Sequence, residues 1–569
     1  MWTKLVRSIF AALAGFAALS AASVVQAQDA GGDWHGSLSM PGGIELRIGL
    51  SLKHTGNGGY EGVLLSPDQT SKAIPLDTVA VADGALSFSI KAISLSYEGR
   101  WDAARKAWVG EVQQGAAIPL ILTPGKPDPL PIVAGLDGDW AGAITPAGAT
   151  IRLILHVRTD SGGTVVRLDS PDQLAFGIPL RSFKRDGQKI TFEVNGSSFQ
   201  GQLSSDKQKI EGIWNGRAFK GPLTFTSRPV ATSAWKRPQT PQPPFPYRSE
   251  EVVVDSVPGV KLAGTLTLPE GKGPFPAAVM ITGSGAQDRD ETILGHKPFA
   301  VIADRLTRDG IAVLRVDDRG FAKSTGDFAS ATDDDFALDA AANVAFLRHR
   351  PDIDPSRIGL IGHSEGGLVA PKVAAKDPKL AFIVMMAGPG VPLSEVIRAQ
   401  RAALLPAMGM GPDRIRKFQA LMDHIDAAMR GAKDEADAKA RALKVVQAEG
   451  GDAAVTPAEG QMVAAQLSSG WMRNLADYDP APTLAKVKCP ILVLNGSKDH
   501  QVLPDQNLPA IRAATRGNPD VTVIELSGLN HLFQTAKTGA VGEYADIEET
   551  IAPIALDTMS AWIRKHVEK

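Results

Sequence analysis

An internal duplication constrains the fold of the first 230 residues more than any other feature of the sequence. Three short motifs recur in the same order at nearly constant offsets of 106, 104 and 104 residues: GDW at 32 and 138, SPDQ at 66 and 170, and IPL at 74 and 178. Within each copy apolar and polar residues alternate, as at 86–90 and 190–194, which is typical of half-buried strands. The pattern predicts two repeated all-β units, residues 28–130 and 131–228, each a small barrel or a sandwich.

Distinct segments flank this β region. Lys4 and Arg7 precede an apolar run over 9–25 that ends at Val25-Gln26-Ala27, the pattern of a signal peptide cleaved after residue 27. The alternative is an uncleaved anchor, but the run is short for a spanning helix and diluted by Ala and Ser. We therefore expect an exported chain, periplasmic or secreted, with no membrane span after cleavage. At the other end, the prolines of 229–246 predict an extended linker.

After this linker the pattern changes to short apolar strands separated by amphipathic helices, which predicts a mostly parallel α/β sheet over 247–569. Strand candidates lie at 277–281, 311–316, 358–361, 381–386, 491–494 and 521–524. Residues 389–476 are rich in helical patterns and predict a helical cap above the carboxyl ends of the strands. Trp471, Met408 and Met410 in this cap are candidates for lining a substrate pocket.

Charge and cysteine content exclude several classes of function. The chain has 60 Lys and Arg against 62 Asp and Glu, so it lacks the positive charge typical of proteins that bind nucleic acid. The single cysteine, Cys489, excludes an intrachain disulfide and any site built from several thiolates. No zinc-type spacing occurs, and we predict neither a metal nor a cofactor.

A G-x-S-x-G motif, Gly362-His363-Ser364-Glu365-Gly366, directly follows a predicted buried strand and opens a helical run. This arrangement is typical of a nucleophile elbow, in which a sharp turn projects the serine above the sheet. The two glycines are then required because neighbouring chain passes too close for a side chain. The motif predicts Ser364 as a nucleophile.

A serine nucleophile requires a histidine base and a carboxylate that orients it. Asp499 follows the strand candidate at 491–494, and His531 follows the one at 521–524. Both lie at carboxyl ends of strands, where open α/β sheets form their sites. His500 is a competing base, but it adjoins the acid in sequence and could not easily be oriented by it. We predict Ser364, Asp499 and His531 as the catalytic triad.

Acyl transfer also needs amide groups that donate hydrogen bonds to the developing oxyanion. The amide of Glu365, the residue after the nucleophile, supplies one. The second is expected from the small-residue loop after the strand at 277–281, at Ser284 or, failing that, Gly285. The alternative is that this loop is only a tight glycine turn.

In combination, the motifs from residue 246 onward resemble the α/β-hydrolase superfamily, and within it the bacterial EstD-type esterases, which are related to serine aminopeptidase-like hydrolases. The motifs are GSGAQDRD at 283–290, DDRG at 317–320, GHSEGG at 362–367, YDP at 478–480, CP at 489–490, NG at 495–496 and NH at 530–531. The resemblance implies an α/β-hydrolase fold with a helical cap, the same triad, and an oxyanion loop at Ser284. Two positions differ from the related sequences: Thr282 replaces a usual His, and Ala322 replaces a usual Gly.

These features predict an exported serine carboxylesterase that hydrolyses small to medium carboxylic esters through an acyl-enzyme, without a cofactor. One alternative is a serine peptidase related to the aminopeptidase-like hydrolases. Another is a binding protein that uses the β repeats and carries a vestigial hydrolase. We expect the repeats themselves to be an accessory module that folds independently.

Overall fold

The computed structural model describes residues 29–568 except for short segments. The omitted segments are 41–43, 57, 69, 91–94, 115, 129, 146–150, 161–162, 174, 195, 217–218, 229–235, 329, 408–409, 452–454, 456, 469, 471 and 474–477. The predicted signal peptide, residues 1–27, therefore lies outside the described residues, as do Met408 and Trp471. Within the described part, no helix is long and apolar enough to cross a membrane.

Each predicted β unit forms one antiparallel sheet of nine strands, and the two sheets have the same topology. The first contains β1 Gly32–Met40, β2 Ile44–His54, β3 Tyr60–Ser66, β4 Thr70–Pro75, β5 Thr78–Ala82, β6 Ala85–Ile90, β7 Leu95–Asp102, β8 Ala107–Gln114 and β9 Ala116–Pro124, in the order β4-β3-β2-β1-β9-β8-β7-β6-β5. The sheet curls until β3 contacts β5. Alternating burial, as in β6 and β7, explains why the sequence alternates.

The second sheet repeats this plan strand for strand, which confirms the predicted repeated all-β units. It contains β10 Gly138–Ile144, β11 Ile151–Asp160, β12 Gly163–Ser170, β13 Ala175–Pro179, β14 Ser182–Asp186, β15 Lys189–Val194, β16 Ser197–Leu203, β17 Lys209–Asn215 and β18 Lys220–Arg228. The strand order is β13-β12-β11-β10-β18-β17-β16-β15-β14, which matches the first sheet. A curled sheet brings its apolar face inward, so that each unit has its own core.

The repeated tryptophan has the same role in both units. The indole Nε1 of Trp34 donates to the carbonyl of Ala30, and that of Trp140 donates to the carbonyl of Leu136, both at 2.8 Å. The two side chains are buried in their respective cores. Burying an indole is favourable when its N–H has a partner, and the residue four positions earlier supplies it in each copy. The GDW repeat thus marks a core anchor at the start of each sheet.

Residues 248–567 form an eight-stranded sheet flanked by helices. Its strands are β19 Arg248–Asp255, β20 Lys261–Leu268, β21 Phe275–Ile281, β22 Ala312–Val316, β23 Ile353–His363, β24 Phe382–Met386, β25 Ile491–Gly496 and β26 Val521–Leu526, in the order β19-β20-β22-β21-β23-β24-β25-β26. The six strands β21–β26 are parallel and correspond to the six strand candidates in the sequence. The sequence candidates omit β19 and β20, which are antiparallel and form one edge.

Helices cover both faces of this sheet, and further helices form the cap. The described helices are α1 Pro298–Arg308, α2 Asp333–Arg348, α3 Gly366–Ala374, α4 Leu393–Ala407, α5 Pro412–Met429, α6 Glu435–Glu449, α7 Pro457–Ser468, α8 Ala481–Leu484, α9 Pro504–Ala514 and α10 Pro553–Val567. Side chains of α2, α3 and α9 complete the core on one face, and those of α1 and α10 complete it on the other. Helices α4–α7 lie between β24 and β25 and have a small core of their own, as predicted for a cap.

The second β unit contacts the C-terminal unit at residues 541–551, which we call the docking segment. Arg152 forms an ion pair with Asp172 at 2.8 Å, and it also donates to the carbonyl of Gly542 at 2.6 Å and pairs with Asp546. A side chain on Gly542 would collide with Asp172. In the first unit the equivalent residues, Arg47 and Asp68, form the same ion pair. Arg47, however, donates to the carbonyl of Asp128, which belongs to the first unit itself.

The described part of the linker is bonded to the same segment. Arg237 donates to the carbonyls of Ala545 at 3.0 Å and Ile547 at 2.9 Å. The amide of Gln239 donates to the carbonyl of Ile551 at 2.8 Å, and its oxygen accepts from the Thr550 amide. Residues 236–239 are therefore fixed to the C-terminal unit rather than extended freely in solvent.

The duplicated arginines allow a matched test of the docking contact. Arg152→Gln should raise amide hydrogen exchange of the docking segment, residues 541–551, by roughly fivefold, because it removes contacts worth about 1 kcal/mol. Arg47→Gln removes the equivalent ion pair of the first unit and should leave exchange in this segment unchanged. Equal exchange in both variants would show that Arg152 does not hold the docking segment.

Candidate active site

Ser364 lies in a strained turn between β23 and α3. Its backbone has a φ of +52°, a conformation that non-glycine residues rarely adopt. A side chain on Gly362 would collide with the carbonyl of Gly366, and one on Gly366 would collide with the carbonyl of Ile281. The turn is fixed by a 2.8 Å hydrogen bond from the Ser364 amide to the carbonyl of Met386. The glycines of the motif thus have the steric reason that the sequence indicates.

Asp499 and His531 meet at the carboxyl ends of the neighbouring strands β25 and β26. The Nδ1 atom of His531 lies 2.8 Å from Oδ2 of Asp499, and both side chains are buried. The other oxygen of Asp499 accepts hydrogen bonds from the amides of Gln501 at 2.8 Å and Val502 at 2.9 Å. Since Nδ1 is held by Asp499, Nε2 is the nitrogen of His531 that is free to exchange a proton with a substrate or nucleophile.

His500, the competing base, is placed differently. Its Nε2 atom lies 2.9 Å from the carbonyl of Thr538, in an exposed position. The two adjacent side chains therefore have different partners: His500 contacts a backbone carbonyl, and Asp499 contacts His531.

A cavity of about 340 Å³ brings the predicted nucleophile and oxyanion residues together, since Ser364, Glu365 and Ser284 all line it. Gly283 packs so closely against the nucleophile that an added Cβ would lie 3.3 Å from the Ser364 Cβ. Within the described residues, the Ser284 amide donates no hydrogen bond. Gly285 has a φ of +90° and is not among the residues that line this cavity.

The cap supplies most of the remaining wall of this cavity. The lining residues beyond the strand ends are Pro389, Leu393, Val396, Ile397, Gln400, Arg401, Phe418, Met422, Val463, Leu467, Met472, Gln501 and Val502. Met410, the one predicted lining residue that the structure describes, is not among them. Helix α5 contributes apolar side chains both to the cavity wall and to the core of the cap. Phe418 and Met422 line the cavity, whereas Ile425 is buried in the core of the cap.

Glu291 and His363 form a buried pair that sequence reasoning missed. Oε1 of Glu291 lies 2.9 Å from Nδ1 of His363 and also accepts the Gly283 amide at 2.8 Å. On its other side, Nε2 of His363 lies 3.1 Å from the carbonyl of His531. Burial opposes protonation of His363, but the charge of Glu291 and the two acceptors raise its pKa above the usual value. The available sequence signal for this pair was His363, the residue between the glycine and the serine of the G-x-S-x-G motif.

Asp318 holds the other end of the oxyanion loop. It accepts hydrogen bonds from the Thr282 hydroxyl at 2.7 Å and from the Gln287 amide at 2.8 Å. Burial, with a smaller contribution from the charge of Glu291, raises the pKa of the Asp318 carboxyl to about 7. Thr282, which departs from the pattern of the related sequences, is thus one of the two donors to a buried carboxyl group. Among the described residues, no group of three or more His, Cys, Asp or Glu side chains is arranged to hold a metal ion.

Glu291→Gln tests whether this buried pair positions the site. The change replaces the carboxylate whose Oε1 contacts both His363 and the Gly283 amide by a neutral amide. It therefore weakens the contacts that fix His363 against the carbonyl of His531. We expect kcat on a small ester to fall by about 10- to 100-fold, the effect of a shift of about 1 Å in a reacting group. Asp288→Asn is the matched control, because in the described part of the chain the partners of the Asp288 side chain are Asp290 and Thr292 of the same loop. An unchanged kcat in a folded Glu291→Gln variant would contradict this role.

Asp318 predicts a pH dependence of stability. Its folded-state pKa of about 7 lies above the ordinary value of 3.8, so the folded protein binds this proton more tightly than the unfolded chain does. The contribution of the group to stability is therefore present at low pH and is lost as pH rises toward 7. Urea unfolding should show that wild type loses stability relative to Asp318→Asn between pH 5 and pH 8. A difference that is constant with pH would contradict the assignment.

Comparison with known proteins finds that the C-terminal unit is similar to hydrolases. Residues 258–528 match the family described as X-Pro dipeptidyl-peptidase (S15 family), a range that includes Ser364 and Asp499. Esterase EstD of Thermotoga maritima is 29% identical over 291 residues, which cover 51% of this chain and 61% of that protein. Thiohydrolase aneE of Aspergillus aculeatus is 36% identical over 135 residues, which cover 24% of this chain and 40% of that protein.

A solved structure of a Pyrococcus furiosus esterase aligns with a TM-score of 0.36 and 14% identity, over 56% of this chain and 92% of that one. In the sequence comparisons, the matched region spans less than two thirds of the length of Esterase EstD and of thiohydrolase aneE. The order of the eight strands, the elbow after β23 and the cap between β24 and β25 are features of the α/β-hydrolase fold. Residues 248–567 therefore form an α/β-hydrolase unit that resembles the EstD-type esterases, which confirms the resemblance indicated by the sequence motifs.

Proposed function

We propose that this protein is a serine carboxylesterase that acts on small to medium esters through Ser364, His531 and Asp499. The observation that carries the proposal is the arrangement of these residues at one sheet edge. A strained elbow presents Ser364 to the same cavity as Ser284 and Glu365, and His531 is hydrogen-bonded to Asp499 at 2.8 Å.

The mechanism follows from these positions. Ser364 Oγ attacks the ester carbonyl as its proton passes to Nε2 of His531, and the amides of Ser284 and Glu365 stabilise the oxyanion. His531 then returns the proton to the leaving alcohol. Water attacks the acyl-enzyme with the same assistance and releases the acid. Asp499 keeps the imidazole in the tautomer and orientation that this proton transfer requires.

The cavity favours an ester over a peptide with a free amino terminus. A dipeptidyl substrate carries an ammonium group, which needs a carboxylate that faces the cavity. Of the residues found to line it, only Glu365 is acidic, and this side chain is 6% exposed and near the buried Asp333. The cationic Arg401, which lines the same cavity, would repel an ammonium group. These charges support the esterase over the peptidase alternative.

Export remains part of the proposal and depends on the sequence of residues 1–27. The reading that the β repeats bind a ligand and that the hydrolase is vestigial is disfavoured by the intact elbow and by the Asp499–His531 hydrogen bond. A mass measurement of the mature N-terminus would test cleavage after Ala27.

The triad predicts a specific pattern of losses on a 4-nitrophenyl ester. Ser364→Ala and His531→Ala should each abolish turnover to a similar extent, on the order of 10⁶-fold, with little further loss when combined, because the residues act as a unit. Asp499→Asn should fold and lose on the order of 10⁴ in kcat by favouring the wrong tautomer. A fluorophosphonate should label wild type but not Ser364→Ala. A double variant far worse than either single variant would refute the assignment.

An X-Pro 4-nitroanilide assayed beside the ester separates the two enzyme classes. We expect ester hydrolysis to exceed anilide hydrolysis by about a thousandfold or more in kcat/KM, because none of the described residues that line the cavity offers an exposed carboxylate to the substrate amine. Comparable rates on both substrates would favour the peptidase.

A further inference from the structure

Arg401 lies on cap helix α4, in the wall of the cavity that contains Ser364. Five residues of α4 line this cavity: Leu393, Val396, Ile397, Gln400 and Arg401. Their spacing of three and four residues puts them on one face of the helix. Arg401 is the charged member, and its backbone lies roughly 12 Å along the helix from Leu393. Along α4 the cavity wall therefore combines three apolar residues with Gln400 and one cationic residue, Arg401.

Arg401 also lines a second cavity of about 640 Å³, and it shares this position with Ile397, Leu467 and Met472. The two cavities thus adjoin at a boundary that includes one guanidinium group. A molecule that extends from the cavity of Ser364 into the second cavity passes Arg401, because Arg401 is part of the wall of both.

The guanidinium of Arg401 has no hydrogen bond or ion pair with any residue in the described part of the chain. The side chain is half-buried, and burial lowers its pKa, while the charges of Asp426 and Asp423 oppose this shift. Asp423 is itself paired with Arg398 at 3.0 Å. Removing a cation from water without a direct partner costs free energy, which an incoming anion can offset.

We propose that Arg401 binds a carboxylate at the far end of the substrate chain, so that the preferred substrates are esters that carry a carboxylate beyond an apolar stretch. This inference rests on the proposed esterase function. A guanidinium matches a carboxylate with two parallel hydrogen bonds. Asp423 and Asp426 disfavour a doubly charged group such as a phosphate, since each added negative charge is repelled. The apolar residues of α4 contact the intervening methylene groups.

The test compares esters of equal acyl length that differ in the terminal group. The 4-nitrophenyl monoester of suberic acid is paired with 4-nitrophenyl octanoate, and the adipic monoester with the hexanoate. We expect the full-length protein to hydrolyse at least one of the two carboxylate esters with a kcat/KM about tenfold or more above its neutral partner.

Arg401→Gln should remove this preference, so that the ratio of kcat/KM for each carboxylate ester to kcat/KM for its neutral partner falls to about one. Arg401→Lys keeps the charge but loses the two-pronged geometry and should retain only part of the preference. Arg416→Gln is the matched control, because Arg416 lies on α5, is 69% exposed and lines neither cavity. It removes one positive charge from the cap and should leave the preference intact.

Binding of free octanoate and of neutral octan-1-ol, measured by calorimetry, decides the inference without turnover. Octanoate should bind wild type more tightly than octan-1-ol does, and Arg401→Gln should abolish the difference. No carboxylate preference in either assay, or a preference that survives Arg401→Gln, would overturn the role of Arg401. If neutral esters are still hydrolysed in that case, the proposed function stands. If no ester is hydrolysed and fluorophosphonate labels no serine, the proposed function fails, while calorimetry still decides the carboxylate site.

Discussion

A single buried carboxylate, that of Glu291, connects the three segments from which the candidate site is built. It accepts the Gly283 amide from the oxyanion loop and contacts His363 beside the nucleophile, and His363 in turn reaches the carbonyl of His531. Away from water these charge-assisted bonds are strong, and breaking one would leave an unsatisfied buried group. The loop at Gly283, the turn at Ser364 and the backbone of His531 are therefore held in place together. Glu291 itself has a φ of +53°, so the backbone is strained where this connection is made.

The docking segment extends this dependence to the N-terminal half of the molecule. Its Tyr544 is buried, and the Tyr544 hydroxyl accepts a hydrogen bond of 3.0 Å from the side-chain amide of Gln501. The backbone amide of Gln501 in turn donates to Asp499. Arg152 of the second β unit and Arg237 of the linker bind the same segment from outside. A short chain of contacts thus runs from the β repeat to the acid of the proposed triad. The independent folding of the repeats remains a prediction, but their placement is not that of a freely tethered module.

The cap gives the candidate site its chemical asymmetry. Leu393, Val396 and Phe418 contribute apolar side chains to the wall of the cavity that contains Ser364, and Arg401 adds one cation to the same wall. An apolar wall binds acyl or alcohol chains without regard to sequence, whereas one cation discriminates between charged ends. The electrostatics of the wall, rather than the triad, therefore distinguish an esterase from an aminopeptidase-like enzyme on this fold. Serine chemistry is common to both, since the same nucleophile and base can cleave either bond.

The sequence by itself determined the features that depend on local sterics and periodicity. The duplication fixed two equal β sheets, and the six apolar runs predicted the six parallel strands. The glycines around Ser364 predicted a turn that only they can form, and the positions of Asp499 and His531 after strands placed both at one edge. These features were predictable because φ/ψ restrictions and the alternation of side chains act within a few residues.

Only the tertiary structure decided what depends on residues that are distant in sequence. Nothing local marks β19 and β20 as the antiparallel edge of the sheet, or chooses a curled nine-stranded sheet over a sandwich. Glu291 meets His363 across 72 positions, and Arg152 meets Gly542 across 390. Arg47 and Arg152 are equivalent in the repeat, yet only Arg152 contacts the C-terminal unit. Such contacts are set by the packing of whole units against each other, and this packing has no period or motif in the sequence that would reveal it.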